Sequence, residues 1–166
     1  SSNLMTVKVK VQSKMKQNTD KAMDMYEENT ARHLNRVANH FRNQITKAMQ
    51  SSKGGRTYVV TKSGKTHTAS VKGNPPAVNT GRLVNSFFVK PATRARNFSS
   101  IETKVKYAGY LEDEQGLDRP FMSERSVPFK NTKQYANRMS KDIKLNKAKI
   151  TWAFILLIYK QYYTQP

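Results

Sequence analysis

Four carboxylates stand within one short stretch of this chain: Glu112, Asp113, Glu114 and Asp118. Gathered acids of this kind are what a nuclease uses to hold divalent cations that activate water and steady a phosphate. Here they crowd one loop, with no acidic partner elsewhere and no lysine at a fitting offset, so an acidic loop that faces a basic neighbour explains them more simply. His33 and His40 lie seven residues apart on one side of a helical pattern, a spacing that suits a metal, but no third ligand is near. They read as polar surface residues. Cysteine is absent, which removes thiol nucleophiles, thiolate metal sites and disulfides together. Neither a Gly-x-Ser-x-Gly elbow nor a Gly-rich phosphate loop occurs. With no convergent titratable groups, the sequence predicts no enzyme, no metal and no cofactor.

Charge is the louder signal. Lys and Arg number 30 against 11 Asp and Glu, for a net +19. No acid falls between Glu28 and Glu102, while Arg56, Lys62, Lys65, Lys72, Arg82, Arg94 and Arg96 all do. Such asymmetry predicts a surface that meets a polyanion, or the acidic surface of a neighbouring subunit. The plain alternative is a basic protein with no anionic partner.

The elements that would position these groups follow from periodicity. Met5 to Gln12 alternates, Val7, Val9 and Val11 against Lys8 and Lys10, which predicts a half-buried strand, with a sheet edge, where lysines discourage stray pairing, as one place for it. From Thr19 or Asn18, apolar or small residues at Ala22, Tyr26, Thr30, Leu34, Val37, Phe41, Ile45 and Ala48 keep helical spacing, so one long helix is expected. Arg56–Lys62 and Thr66–Lys72 around Ser63-Gly64-Lys65 predict a hydrophilic hairpin that protrudes. Next come the adjacent Pro75 and Pro76, which hold the chain extended, and Asn79-Thr80-Gly81, a corner whose glycine is free to take positive φ. Leu83 lies in the short turn beyond it. Strands are predicted over 86–92 and from Phe98 to Tyr107, the latter with Ile101, Thr103, Val105 and Tyr107 inward and Glu102, Lys104 and Lys106 outward. Pro120 reads as a helix start with Phe121 as its anchor, and Asn131 or Thr132 as the cap of a further helix.

One domain suits 166 residues. The expected boundaries are a single α+β unit over 1–146 and an apolar extension over 147–166. In that unit the long N-terminal helix packs on a small antiparallel β-sheet with a protruding β-hairpin, and a C-terminal helix follows. The extension contains Trp152 and Phe154 in a nearly continuous apolar run from Ile150 to Tyr159. That run is about half the ~20 residues needed to cross a bilayer, so no membrane partner is expected, and a subunit contact or a core element are its two readings. The opening Ser1-Ser2-Asn3 lacks a basic-then-apolar leader, so no secretory signal is expected.

Two motifs, in order, resemble a known family. Asn74-Pro-Pro-Ala-Val-Asn-Thr-Gly-Arg-Leu-Val-Asn-Ser86 resembles the Pro-Pro-x-x-Asp/Asn-Thr-Gly-x-Leu-x-x-Ser signature of tailed-bacteriophage tail-component proteins, the small head–tail joining, tail-completion or neck proteins. Tyr107-Ala-Gly-Tyr110-Leu-Glu112, then Gly116 and Arg119-Pro120-Phe121-Met122, resembles that family's Tyr-Ala-x-Tyr-x-Glu-x-Gly and Arg-Pro-Phe-Leu segment. Asp113-Glu114-Gln115 departs from the Gly-Thr that the family often carries there. The resemblance implies a virion structural protein without enzymatic activity, made in the host cytoplasm and assembled as a homo-oligomeric ring, a hexamer of six copies, at the head–tail junction. It also implies contact with other phage connector and tail proteins around the DNA channel, and transient, non-specific contact with genomic DNA. In such a ring a basic flank of one subunit docks the acidic loop of the next, Pro75–Ser86 acts as the hinge that aims the hairpin, and Arg82 reaches a partner's acid. The reading from charge alone is a basic, non-sequence-specific nucleic-acid-binding protein.

Overall fold

The structure is a computed structural model that describes residues 5–11, 20–60, 62–142 and 148–153. Nine elements follow in chain order: β1 (Met5–Val11), α1 (Asp20–Ser51), β2 (Gly54–Val59), β3 (Thr66–Ser70), β4 (Phe88–Lys90), β5 (Phe98–Thr103), α2 (Ala108–Glu112), α3 (Val127–Asp142) and β6 (Ala148–Ala153). The fold is α+β: a long N-terminal helix, two small antiparallel sheets and a helix near the C-terminal end of the described chain. No helix among the described residues is long and apolar enough to cross a membrane.

The main sheet has the order β4-β5-β1-β6, every pair antiparallel. Alternation sends Met5, Val7 and Val9 to one face, where they are buried with Ile101 of β5. Against that face lies α1, 32 residues or about 48 Å long. Its stripe of Leu34, Val37, Phe41 and Ile45 is fully buried, as the helical spacing predicts. α3 closes the other side of α1, with the Phe41 and Phe129 rings edge-on at 5.9 Å and His40 stacked on Tyr135 at 3.9 Å. Asn35 staples α1 to the sheet. Its amide donates to the Ala92 carbonyl at 3.1 Å and accepts from the Ala92 N–H at 2.6 Å, which satisfies both backbone groups where the chain leaves β4.

Several expectations need correction. β1 is not an edge strand: it lies between β5 and β6, with Val7 opposite both Ile101 and Trp152. Its lysines therefore sit on the sheet face turned away from α1 rather than guarding an edge. The boundary expected at 146/147 cuts the sheet, because Ala148–Ala153 is its fourth strand, and Trp152 is a strand position paired with β1. Phe154 falls outside the described residues. Pro120 starts no helix. α3 begins at Val127, capped by Ser126, whose hydroxyl accepts from the Phe129 N–H at 3.3 Å. Neither Asn131 nor Thr132 is the cap. His33 is not a surface residue: it is 2% exposed, because its position three before Arg36 and four before Val37 puts it beside the buried stripe. Burial lowers its pKa, and the Arg36 charge adds to that. Glu102 points outward on β5 yet is 4% exposed, held by Lys90 at 3.1 Å and by the Ser100 hydroxyl at 3.1 Å.

Candidate functional site

The corner that follows the two prolines is built by local chemistry. Pro75 and Pro76 are both buried, and the Ser52 hydroxyl at the end of α1 donates to the Pro75 carbonyl. Gly81 has φ +80°, the left-handed conformation that the corner requires. The chain then makes one tight turn, in which the Asn85 N–H donates to the Gly81 carbonyl at 3.0 Å. The Arg82 N–H donates to the Thr80 hydroxyl at 3.3 Å. Leu83 drops into the core from this turn, and Ser86 bonds Thr103 of β5 hydroxyl to hydroxyl at 2.6 Å. Arg82 is left exposed.

The second motif folds into a knot around one carboxylate. Glu112 ends α2 and is 4% exposed. Its Oε1 accepts from the backbone N–H groups of Phe121 at 3.0 Å, Met122, and Ser123 at 2.7 Å, while Oε2 accepts from the Ser123 hydroxyl at 3.0 Å. Burial raises the Glu112 pKa above the usual carboxylate value, and these four donors pull against that rise. Glu112 is thus an internal brace for Arg119–Ser123, not part of an acidic face offered to a neighbour. Gly116 closes the loop where a Cβ would stand 2.2 Å from the Tyr110 carbonyl oxygen, so no side chain fits.

The other acids diverge. Asp113 accepts from the Gln115 N–H at 2.9 Å. Arg125 pairs with Asp118 and lies 3.6 Å from Glu114, and it also donates to the Glu112 carbonyl. Among the described residues no group of three His, Cys, Asp or Glu side chains is placed to hold a metal ion. The acidic loop therefore faces this chain's own Arg125. That arginine went unnoticed in the sequence because nothing in the spacing of Asp118 and Arg125 marks a pair across a turn.

The second motif reaches the hairpin. Arg119 donates through Nη1 to the carbonyl and hydroxyl of Ser70 at the end of β3, and the Gly73 N–H donates to the Asp118 carbonyl at 2.6 Å. Between hairpin and corner a groove of about 640 Å³ opens. Tyr58 and His67 form its hairpin wall, Val78 and Arg82 its corner wall, and Tyr107 and Leu117 its far side. Tyr58, Val78, Tyr107 and Leu117 are 37–45% exposed there. Among the described residues no carboxylate lines the groove.

The remaining candidates are scattered. Arg56, Lys62, Lys65 and Lys72 are all exposed on the hairpin or just past it. Arg94 and Arg96 lie elsewhere, in the connector from β4 to β5. Arg94 reaches Glu27 of α1 at 3.5 Å, and Arg96 stacks over Phe98 with its Cζ 4.3 Å from the ring centre.

No family model, no curated protein and no solved structure matches this chain. The geometry thus carries the functional reading, together with the motifs themselves.

Proposed function

We propose that this chain is a structural subunit of a tailed-bacteriophage virion, assembling as a ring at the head–tail junction, where the groove between hairpin and corner receives the neighbouring copy. The observation that carries this reading is the meeting of the two motifs. Pro76–Val84 and the Tyr107–Arg119 segment lie far apart in sequence, yet both line one groove beside the hairpin. Motif residues spent only on stability would be buried. Here Leu83, Pro120 and Phe121 are buried, while Tyr107 and Val78 stay exposed in the groove with the hairpin's Tyr58. Exposed aromatic and aliphatic groups around a concave surface are what an assembly interface uses as anchors. A head-to-tail contact at such a groove closes into a ring when its rotation divides a full turn. The arrangement differs from a basic flank meeting an acidic one, since the acidic loop lies beside the groove and is engaged by Arg125.

Light scattering on the purified protein, with images of the particles, tests this reading. A closed oligomer is expected, and Tyr58→Asp with Val78→Asp should convert it to folded monomers. A wild-type chain that stays monomeric at every concentration refutes it.

A further inference from the structure

The face of the four-stranded sheet turned away from α1 carries a second feature, separate from the groove. Strand register places Lys8 and Lys90 on either side of Ser100, and Lys10 opposite Phe98. Adjacent strands are about 4.8 Å apart, so these cations share one small area. Lys8 and Lys10 converge with Arg96 on a single ring: around Phe98, Lys8 Nζ lies 5.0 Å from the centre, Lys10 Nζ 6.0 Å and Arg96 Cζ 4.3 Å. Lys104 Nζ adds a fourth charge 5.9 Å from the Phe88 ring. The one carboxylate on β1, β4 and β5 is Glu102, which is buried and taken by Lys90. Lys8, Lys10, Arg96 and Lys104 have no carboxylate partner among the described residues. Arg96 is moreover held in place, its Nη2 donating to the Ser100 hydroxyl at 2.9 Å and its Nη1 to the Pro91 carbonyl at 3.5 Å.

Cations drawn together without a counter-charge repel one another, and an aromatic face offsets only part of that. We infer that the sheet face bearing Lys8, Lys10, Arg96 and Lys104 binds the phosphate backbone of a nucleic acid without reading its sequence. A protein partner fits this face less well. Among the described residues, the large exposed apolar side chains, Tyr58, Val59, Val71, Val78, Tyr107, Tyr110, Leu117 and Val127, all lie off β1, β4 and β5. The half-buried Phe88 and Phe98 are covered by cations, which leaves fewer anchors of the kind protein interfaces need. A phosphate backbone needs no such anchor, only cations that release condensed counterions. The inference requires one subunit alone and stands apart from ring assembly. Should both hold, this face rather than the hairpin turns toward the DNA.

The test is fluorescence anisotropy of the full chain with a short labelled duplex of mixed sequence, and with its single strand, across a salt series. Binding to either form, with a log–log salt slope that falls by about 2–3 in the Lys8→Ala/Lys10→Ala/Lys104→Ala variant, supports the site. Its affinity at low salt should fall about tenfold or more. A control that removes the same charge from α3, Lys130→Ala/Lys133→Ala/Arg138→Ala, should keep the wild-type slope. Lys10→Glu, at a single exposed position, serves if the triple variant fails to fold, and it too should weaken binding severalfold. Equal losses in the sheet and α3 variants, an unchanged slope in the sheet variants, or equally tight binding of poly-glutamate would each overturn the inference.

Discussion

The knot around Glu112 and the hairpin β2–β3 are neighbours joined by Arg119, and they use their polar and apolar groups in opposite ways. In the knot a buried carboxylate satisfies three backbone N–H groups and a hydroxyl, and Phe121 and Met122 are fully buried behind it. In the hairpin, Tyr58, Val59, Arg56, Lys62 and Lys65 all face outward. One region spends its side chains on holding itself together; the other leaves them to solvent. Stability and the proposed assembly contact therefore fall on different residues, and substitutions should separate them.

The largest effect is expected from Glu112→Ala. It strands four donors in the interior and should cost about 3–5 kcal/mol in chemical denaturation. A cost below about 1 kcal/mol would mean that the knot is not braced by this carboxylate. Gly116→Ala comes next, since its new methyl would press on the Tyr110 carbonyl. A loss of about 2–3 kcal/mol is expected, measured the same way. Gly81→Val tests the corner between the two regions. It should destabilise by about 1–3 kcal/mol because Gly81 holds positive φ, and a neutral result would break the link between corner geometry and fold. The smallest effect belongs to Lys62→Ala with Lys65→Ala, at the hairpin tip. Stability should move by less than about 0.5 kcal/mol, and a larger change in melting would show that the hairpin, too, is part of the fold's support.

Helix α1 and the inward residues of β1 and β5 were legible in the sequence because burial on one face imposes a period that can be counted. What the period does not encode is which strands lie alongside. Val7, Lys8 and Val9 alternate in the same way at an edge or in the middle, and only distant Ile101 and Trp152 decide the matter. The basic sheet face went unseen for the same reason, since Lys8, Lys10, Arg96 and Lys104 meet only through register. Glu112 was misread because its partners are backbone N–H groups, which every residue but proline has and no pattern announces. The start of α3 had a signal in Ser126-Val127-Pro128, a capping hydroxyl with a proline in the first turn. Among the candidate site residues, the hairpin cations and Arg82 stand exposed as expected, whereas the groove they adjoin needed coordinates.

The central place of β1 also has a consequence for how the protein is made. At about 5–20 residues per second, β1 leaves the ribosome several seconds before β5 and later still gains β6. Throughout that wait its row of valines is a sticky, unpaired template. Lys8 and Lys10, set between those valines, are charges of the kind that discourage a nascent strand from pairing with other chains. The same two charges that crowd the finished sheet thus suit the chain during synthesis too, and removing them should lower the yield of soluble protein as well as alter the folded state.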